Sequence, residues 1–108
     1  MQRGPDGEDE LVALFAEDAV YVEPFTGGEH VGRDAIRDWL RTSFDDQPPG
    51  IRITVERLHV VEQVIEASWV CESTAFARPA RGRDRFTIRD GQIARLETEL
   101  LEPPEPAP

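Results

Sequence analysis

Two acids stand out by type and surroundings. Glu23 closes the run Ala19-Val20-Tyr21-Val22-Glu23 directly ahead of Pro24, and Asp84 sits between Arg83 and Arg85 ahead of Phe86. A carboxyl held in a largely apolar cavity is desolvated, so its pKa rises towards working pH and it becomes a better proton carrier than a surface acid. Two such acids facing one cavity raise one another further. Tyr21 has the strand parity of Glu23, which directs its hydroxyl to the same side. Each acid also has a plainer reading. A Glu before Pro at a strand end is ordinarily an exposed rim residue, and Asp84 between two Arg residues suits a surface ion pair of little energetic worth. His30 and His59 have no second His, Cys or Asp at ligand spacing, so no metal site is expected. Cys71, the single cysteine, falls in an apolar strand pattern and reads as a buried inert thiol.

The elements that must position these residues follow from periodicity. Residues 1–7, with two Gly and a Pro, read as a disordered lead-in. Glu8-Asp9-Glu10 ahead of Leu11-Val12-Ala13-Leu14-Phe15 puts acids in the first turn of a short helix. Ala16-Glu17-Asp18 is expected to turn the chain into the strand that ends at Glu23, because Pro24 neither continues a central ladder nor lets its predecessor turn helical. Phe25 to His30 reads as a flexible loop. The segment from Gly32 to Phe44 has apolar residues at helical spacing, among them Ile36, Trp39 and Leu40. Asp45 to Gly50 breaks that helix.

Three extended runs follow, at 51–62, 64–77 and 84–100, the last folded on itself at Asp90-Gly91. In the second run Ile65, Ala67, Trp69, Cys71, Ser73 and Ala75 share the inward face. In the hairpin, Asp84, Phe86, Ile88, Leu96, Thr98 and Leu100 do. The first run changes parity midway, from Ile51, Ile53 and Val55 to Leu58 and Val60, which predicts a bulge near Glu56-Arg57 that curls the sheet. Helices first and antiparallel strands after make the class α+β. Residues 102–108, rich in Pro and Glu, are expected as an exposed extended tail.

The chain of 108 residues has the size of one domain, spanning residues 8–101 on this reading. With 39% hydrophobic and 31% charged residues it is ordinary for a globular protein, and no apolar run approaches the roughly 18 residues that would span a membrane. No signal peptide is read at the N-terminus, so a cytoplasmic protein is expected. The net charge is −10; setting aside the acidic ends leaves about −5 for the body, which argues against a surface that tracks nucleic-acid phosphates.

The segment Leu14-Phe15-Ala16-Glu17-Asp18-Ala19-Val20-Tyr21-Val22-Glu23-Pro24 resembles the helix-to-strand passage of the nuclear transport factor 2-like superfamily, which includes ketosteroid isomerases, SnoaL-like polyketide cyclases and limonene-epoxide hydrolases. Gly32-Arg33-Asp34-Ala35-Ile36-Arg37 is similar to the start of its next helix, and Asp84-Arg85-Phe86 with Asp90-Gly91-Gln92-Ile93 to its final hairpin. The resemblance covers residues from about 9 to 101. It implies a cystatin-like cone, a curved mixed sheet wrapped by helices around an interior pocket. It also implies cofactor-independent isomerase or cyclase chemistry on a hydrophobic carbonyl substrate; with the residue-level readings above, no metal, no nucleic acid and no membrane are expected as partners.

Glu23 falls where the isomerases carry the carboxylate that shuttles a proton, and Asp84 where they carry a neutral acid that donates to the developing oxyanion. Tyr21 is placed as a second donor and resembles in position the tyrosine with which the epoxide hydrolases place a water. Phe25, Trp39, Trp69, Ser73, Phe86 and Thr98 are the expected substrate-contacting set, the two tryptophans chiefly as core and wall. A homodimer through the outward sheet face, where Arg and Glu alternate, is also implied.

Three departures qualify this. The long first helix with which the isomerases close the cone has no room here. Either the chain is a fragment, or its start lies elsewhere, or a partner closes the cone, or the pocket is open. The arginine and second acid of the hydrolases are replaced by Gly82 and Thr98. A non-catalytic ligand-binding or dimerisation module of the same fold is therefore the competing expectation, with an epoxide hydrolase-like activity as a further alternative.

Overall fold

The β-branched and aromatic run that leads to Glu23 forms β1 (Phe15–Val22), and the hairpin strands β6 (Ala80–Arg89) and β7 (Gln92–Glu102) lie beside it. The computed structural model describes residues 5–108. Its other elements are α1 (Pro5–Ala13), β2 (Glu29–Val31), α2 (Arg33–Asp45), β3 (Arg52–Val61), β4 (Val64–Glu72), β5 (Phe76–Arg78) and β8 (Glu105–Pro106). Six strands make one mixed sheet in the order β2-β1-β7-β6-β4-β3, with β1 parallel to β7 and every other pairing antiparallel. The α+β class and the curved mixed sheet agree with the sequence.

Cross-strand partners share a face, so the register sorts the side chains. Tyr21 pairs with Leu96 and with His30; Asp84 pairs with Thr98 and with Ala67; Trp69 pairs with Gly82 and with Val55. All of these lie on the face against which α2 packs, here termed the inner face. Phe15, Ala16, Ala19, Ile36 and Leu96 are buried there, with Tyr21, Leu40, Phe86 and Ile93 against them. The core thus occupies the β1, β7 and β6 side of the sheet. On the outer face Arg83 pairs with Glu99 at 2.5 Å and Arg81 with Glu56 at 2.5 Å.

Several boundaries differ from the sequence reading. α1 begins at Pro5, inside the segment read as a lead-in, and residues 1–4 lie outside the described residues. Pro is tolerated in a first turn, where its missing N–H has no intrahelical partner anyway. Arg37 reaches Glu8 at 2.6 Å and Asp9 at 2.7 Å, and Arg41 reaches Glu8 at 2.8 Å, which fastens α1 to α2. Ala16-Glu17-Asp18 forms part of β1 rather than a turn. The register slips there, Phe15 lying opposite Ile93 and Val20 opposite Arg95. The irregular segment is held by Ile93 N–H donating to the Leu14 carbonyl, Gly32 N–H to the Ala19 carbonyl and the Arg33 Nε–H to the Phe15 carbonyl, at 2.8, 2.8 and 2.9 Å.

The Phe25–His30 loop is shorter than expected, because Glu29–Val31 forms β2. The bulge near Glu56 is present: Val55 faces Trp69 and Arg57 faces Ser68, leaving Glu56 as the extra residue. The tail is extended and exposed, and it is also paired. β8 lies antiparallel to β5, and Ala107 N–H donates to the Ala75 carbonyl at 2.8 Å. Burial raises the Cys71 thiol pKa, as suits an inert buried cysteine. No helix of the described residues is long and apolar enough to cross a membrane.

Candidate active site on the inner sheet face

A chain of polar side chains crosses the inner face. The Thr98 hydroxyl donates to Asp84 Oδ1 at 2.9 Å, and the Trp69 indole Nε1–H donates to the same oxygen at 3.1 Å. The Tyr21 hydroxyl lies 3.3 Å from Thr98 Oγ1. With the single Thr98 proton committed to Asp84, the hydroxyl of Tyr21 is the donor in that contact. Among the described residues nothing hydrogen-bonds Asp84 Oδ2, which leaves that oxygen available to a ligand. Burial pushes the Asp84 carboxyl above its ordinary value, against the lowering effect of Thr98 and Trp69. Burial also raises Tyr21; Thr98 offsets part of this, and the nearby Asp84 charge adds to it. The tyrosine is therefore held as a neutral donor.

Gly82 explains how Trp69 reaches Asp84. A Cβ at position 82 would overlap the Trp69 ring and come within 2.7 Å of the Glu99 carbonyl, so only glycine leaves room for the indole. The same ring fills the space that an inward arginine would need.

Glu23 lies just past the end of β1, with 1% of its surface exposed. Its carboxylate gathers the loop around itself. Thr26 N–H donates to Oε1 at 2.8 Å, the Thr26 hydroxyl donates to Oε2, and His30 Nε2 lies 2.9 Å from Oε2. Gly27, at φ 69°, supplies the left-handed residue that this tight loop requires. The expectation of a raised pKa is corrected here. Burial does act to raise the carboxyl, but the donors from Thr26, His30 and the loop backbone outweigh it and hold Glu23 below its ordinary value. Its side chain is fully enclosed, and in this conformation it offers no open lone pair to a substrate.

His30 links this cluster to the aromatic residues. Its ring stacks on Trp39 with centroids 5.0 Å apart and meets Tyr21 at 6.2 Å; Phe25 stacks on the Trp39 ring at 6.5 Å and is 60% exposed. Tyr21, Asp84, Trp69 and Thr98 are thus brought into one hydrogen-bonded row. Glu23, His30, Trp39 and Phe25 form a second group beside Tyr21. Phe86 belongs to the core rather than to an open wall. Ser73 is not brought to the site: beyond the end of β4, its hydroxyl donates to the Pro49 carbonyl at 2.6 Å and accepts from Ala75 N–H, so it fixes a turn.

The sequence reading missed His30 and Thr26. The available signal was Gly27-Gly28 flanked by Val20-Tyr21-Val22 and His30-Val31, a hairpin pattern that sets His30 opposite Tyr21. A depression of about 500 Å³ is lined by Glu66, Arg83, Arg85, Glu97 and Glu99, outer-face acids and arginines that face one another, and it also borders Glu23 and Thr98.

A family model described as the SnoaL-like domain matches residues 5–96. The chain belongs to the SnoaL-like domain family. No curated protein sequence matches it significantly. Among solved structures it is similar to a candidate polyketide cyclase from Sinorhizobium meliloti, at 27% identity and TM-score 0.70, covering 87% of this chain and 83% of that one. A candidate ketosteroid isomerase from Kribbella flavida is similar at 24% identity and TM-score 0.73, over 95% of this chain and 72% of that one. An NTF2-like protein of unknown function from Mesorhizobium loti is similar at 25% identity and TM-score 0.71, over 86% and 76%. The SnoaL-like domain therefore has the NTF2-like cone fold. Its first helix is the nine-residue α1, which packs on α2 and β1 and leaves the β3 and β4 side of the inner face without a helix among the described residues.

Proposed function

We propose that this SnoaL-like protein carries out cofactor-independent proton transfer beside a carbonyl of a hydrophobic substrate, as an isomerase or cyclase, with Asp84 as the group that takes and returns the proton. The observation that carries this reading is the Asp84 carboxyl: half-buried, raised by burial, anchored through Oδ1 by two donors and open at Oδ2. A carboxylate so placed is a stronger base than a surface Asp, and it is oriented in advance.

In the proposed step Asp84 Oδ2 removes a proton from the carbon next to the carbonyl. The C–H electron pair forms the enolate double bond, and negative charge builds on the carbonyl oxygen. Tyr21, released from Thr98, donates its hydroxyl hydrogen bond to that oxygen. The Asp84 acid then returns the proton to another carbon, or the enolate carbon closes a ring on a second carbonyl carbon of the same molecule, whose C=O electron pair moves onto oxygen and takes the proton back from Asp84. Glu23 enters as the group that holds His30 and the β1–β2 loop beside Tyr21, in place of the general-base role expected for it. The apolar inner face next to Asp84, from Trp69 to Val55, suits a flat hydrophobic substrate.

The test is deuterium exchange at the α-carbon of a model cyclic enone, followed by NMR with wild type and Asp84→Asn. Catalysed exchange that falls on the order of 10²-fold or more in the variant supports the assignment. Equal rates would sink it.

A second reading, a ligand-binding module without chemistry, is favoured by the exposure of the inner β3 residues, which leaves much of the inner face open to water. It predicts that apolar ketones bind without any exchange by the wild type.

A further inference from the structure

β3 is an edge strand of ten residues, all exposed. Its inner-face residues are apolar: Ile53, Val55, Leu58 and Val60 are 60%, 59%, 62% and 59% exposed. A long apolar edge whose outward row of backbone donors and acceptors pairs with no other strand among the described residues is a template for another strand. The question is which strand fits.

The bulge decides it. In a regular strand, residues on the two sides of a midpoint between neighbours have opposite parity, so a strand paired with its own copy about such a point would set inner residues against outer ones. Here the extra residue Glu56 resets the parity. Ile53 and Val55 face Cys71 and Trp69 on the inner side before the bulge, and Leu58 and Val60 face Ala67 and Ile65 on the same side after it. Glu56 bonds Arg81 and Arg57 lies opposite Ser68, both on the outer side. The face pattern is therefore symmetric about the bond between Glu56 and Arg57.

We propose that β3 is the docking surface for a second copy of this chain, the two β3 strands pairing antiparallel across a two-fold axis between Glu56 and Arg57. Ile53 then meets Val60 of the other copy and Val55 meets Leu58, each twice, as cross-strand apolar pairs on the inner face. On the outer face Glu56 stands opposite Arg57 of the other copy, again twice. The interface is isologous and self-complementary in shape and in charge. Opposite charges at the axis also counter the repulsion between two chains that each carry a net charge of −10. The two bulges lie opposite one another, so neither strand runs ahead of its partner.

The experiment is sedimentation equilibrium on the full chain with a charge-swap set. Glu56→Arg sets Arg against Arg57, and Arg57→Glu sets Glu against Glu56; the double variant restores opposite charges with the order reversed. The wild type is expected to dimerise. Each single variant is expected to weaken the dimer about ten-fold, and the double variant to return within about three-fold of wild type. Leu58→Lys is expected to abolish dimerisation, with the wild-type circular dichroism spectrum retained in all variants. A wild-type monomer at every concentration overturns the proposal. So does a dimer indifferent to all four variants, and a dimer lost on Arg83→Glu but not on Leu58→Lys assigns the contact to the outer sheet face instead.

Discussion

Trp69 lies across Gly82, its ring filling the space a side chain there would need, and from that seat it donates to Asp84 at 3.1 Å. A residue without a side chain and a tryptophan are thus one device. The glycine on β6 lets an indole from β4 cross the strand pair and reach a carboxyl two positions on.

Gly82→Ala is accordingly expected to destabilise the fold by about 1–3 kcal/mol, as overpacking does. A shift of Trp69 alone cannot relieve it, because the new methyl also meets the Glu99 carbonyl at 2.7 Å. Urea denaturation measures the loss, and a change in tryptophan emission reports that the ring has left its seat. A variant as stable as wild type would contradict the packing described.

Asp84→Asn separates stability from function. Burial raises the folded-state pKa of Asp84, so the ionised form is less favoured in the folded chain than in the unfolded one. The cost is present at neutral pH and relieved as pH falls through the folded value. Asn keeps an acceptor for Trp69 and Thr98 and carries no charge. The variant is expected to melt above wild type near pH 7 while losing α-proton exchange. The thermal gain is expected to vanish in acid.

The behaviour of the two acids also shows what sequence could and could not supply. Strand parity was enough to put Tyr21, Asp84, Trp69 and Thr98 on one face, and the switch from Val55 to Leu58 was enough to locate the bulge. The environment of Glu23 was not legible, because it depends on a loop of five residues whose donors come from Thr26 and from a three-residue strand too short to show periodicity. Ser73 failed for a related reason. Alternation continues on paper beyond Glu72, but the chain has already turned there, and the Ser73 hydroxyl is spent on Pro49 and Ala75. Parity is a property of the ladder and ends with it.

Tyr21→Phe removes the proposed oxyanion donor and leaves the Thr98 to Asp84 bond intact. The fold should tolerate it with a change of about 1–2 kcal/mol, since the hydroxyl loses its part-buried contacts with Thr98 and Trp39 and no charge is unpaired. If the reaction runs as proposed, kcat is expected to fall on the order of 10²-fold with KM little changed, because the donor acts on charge that develops only in the transition state. A rise in KM alone would make Tyr21 a binding residue.

Glu23→Gln tests the anchoring role by its pH dependence. The folded-state pKa of Glu23 is held below the ordinary 4.5, so its ionised form contributes stability that is fully present above that value and is lost as pH falls through the folded one. Gln offers one acceptor oxygen where the carboxylate offers two, and it turns an amide donor towards Thr26 and His30. The expected loss is about 1–3 kcal/mol near pH 7, the usual cost of unpairing buried hydrogen-bonded groups. The gap between variant and wild type should narrow as pH falls below about 4.5, where the carboxylate of the unfolded chain takes up its proton first, and close as pH passes the lower folded value. Guanidinium denaturation of both proteins across that range measures it. A gap that stays constant with pH would mean that the shape of the side chain, and not its charge, holds His30 and the loop in place.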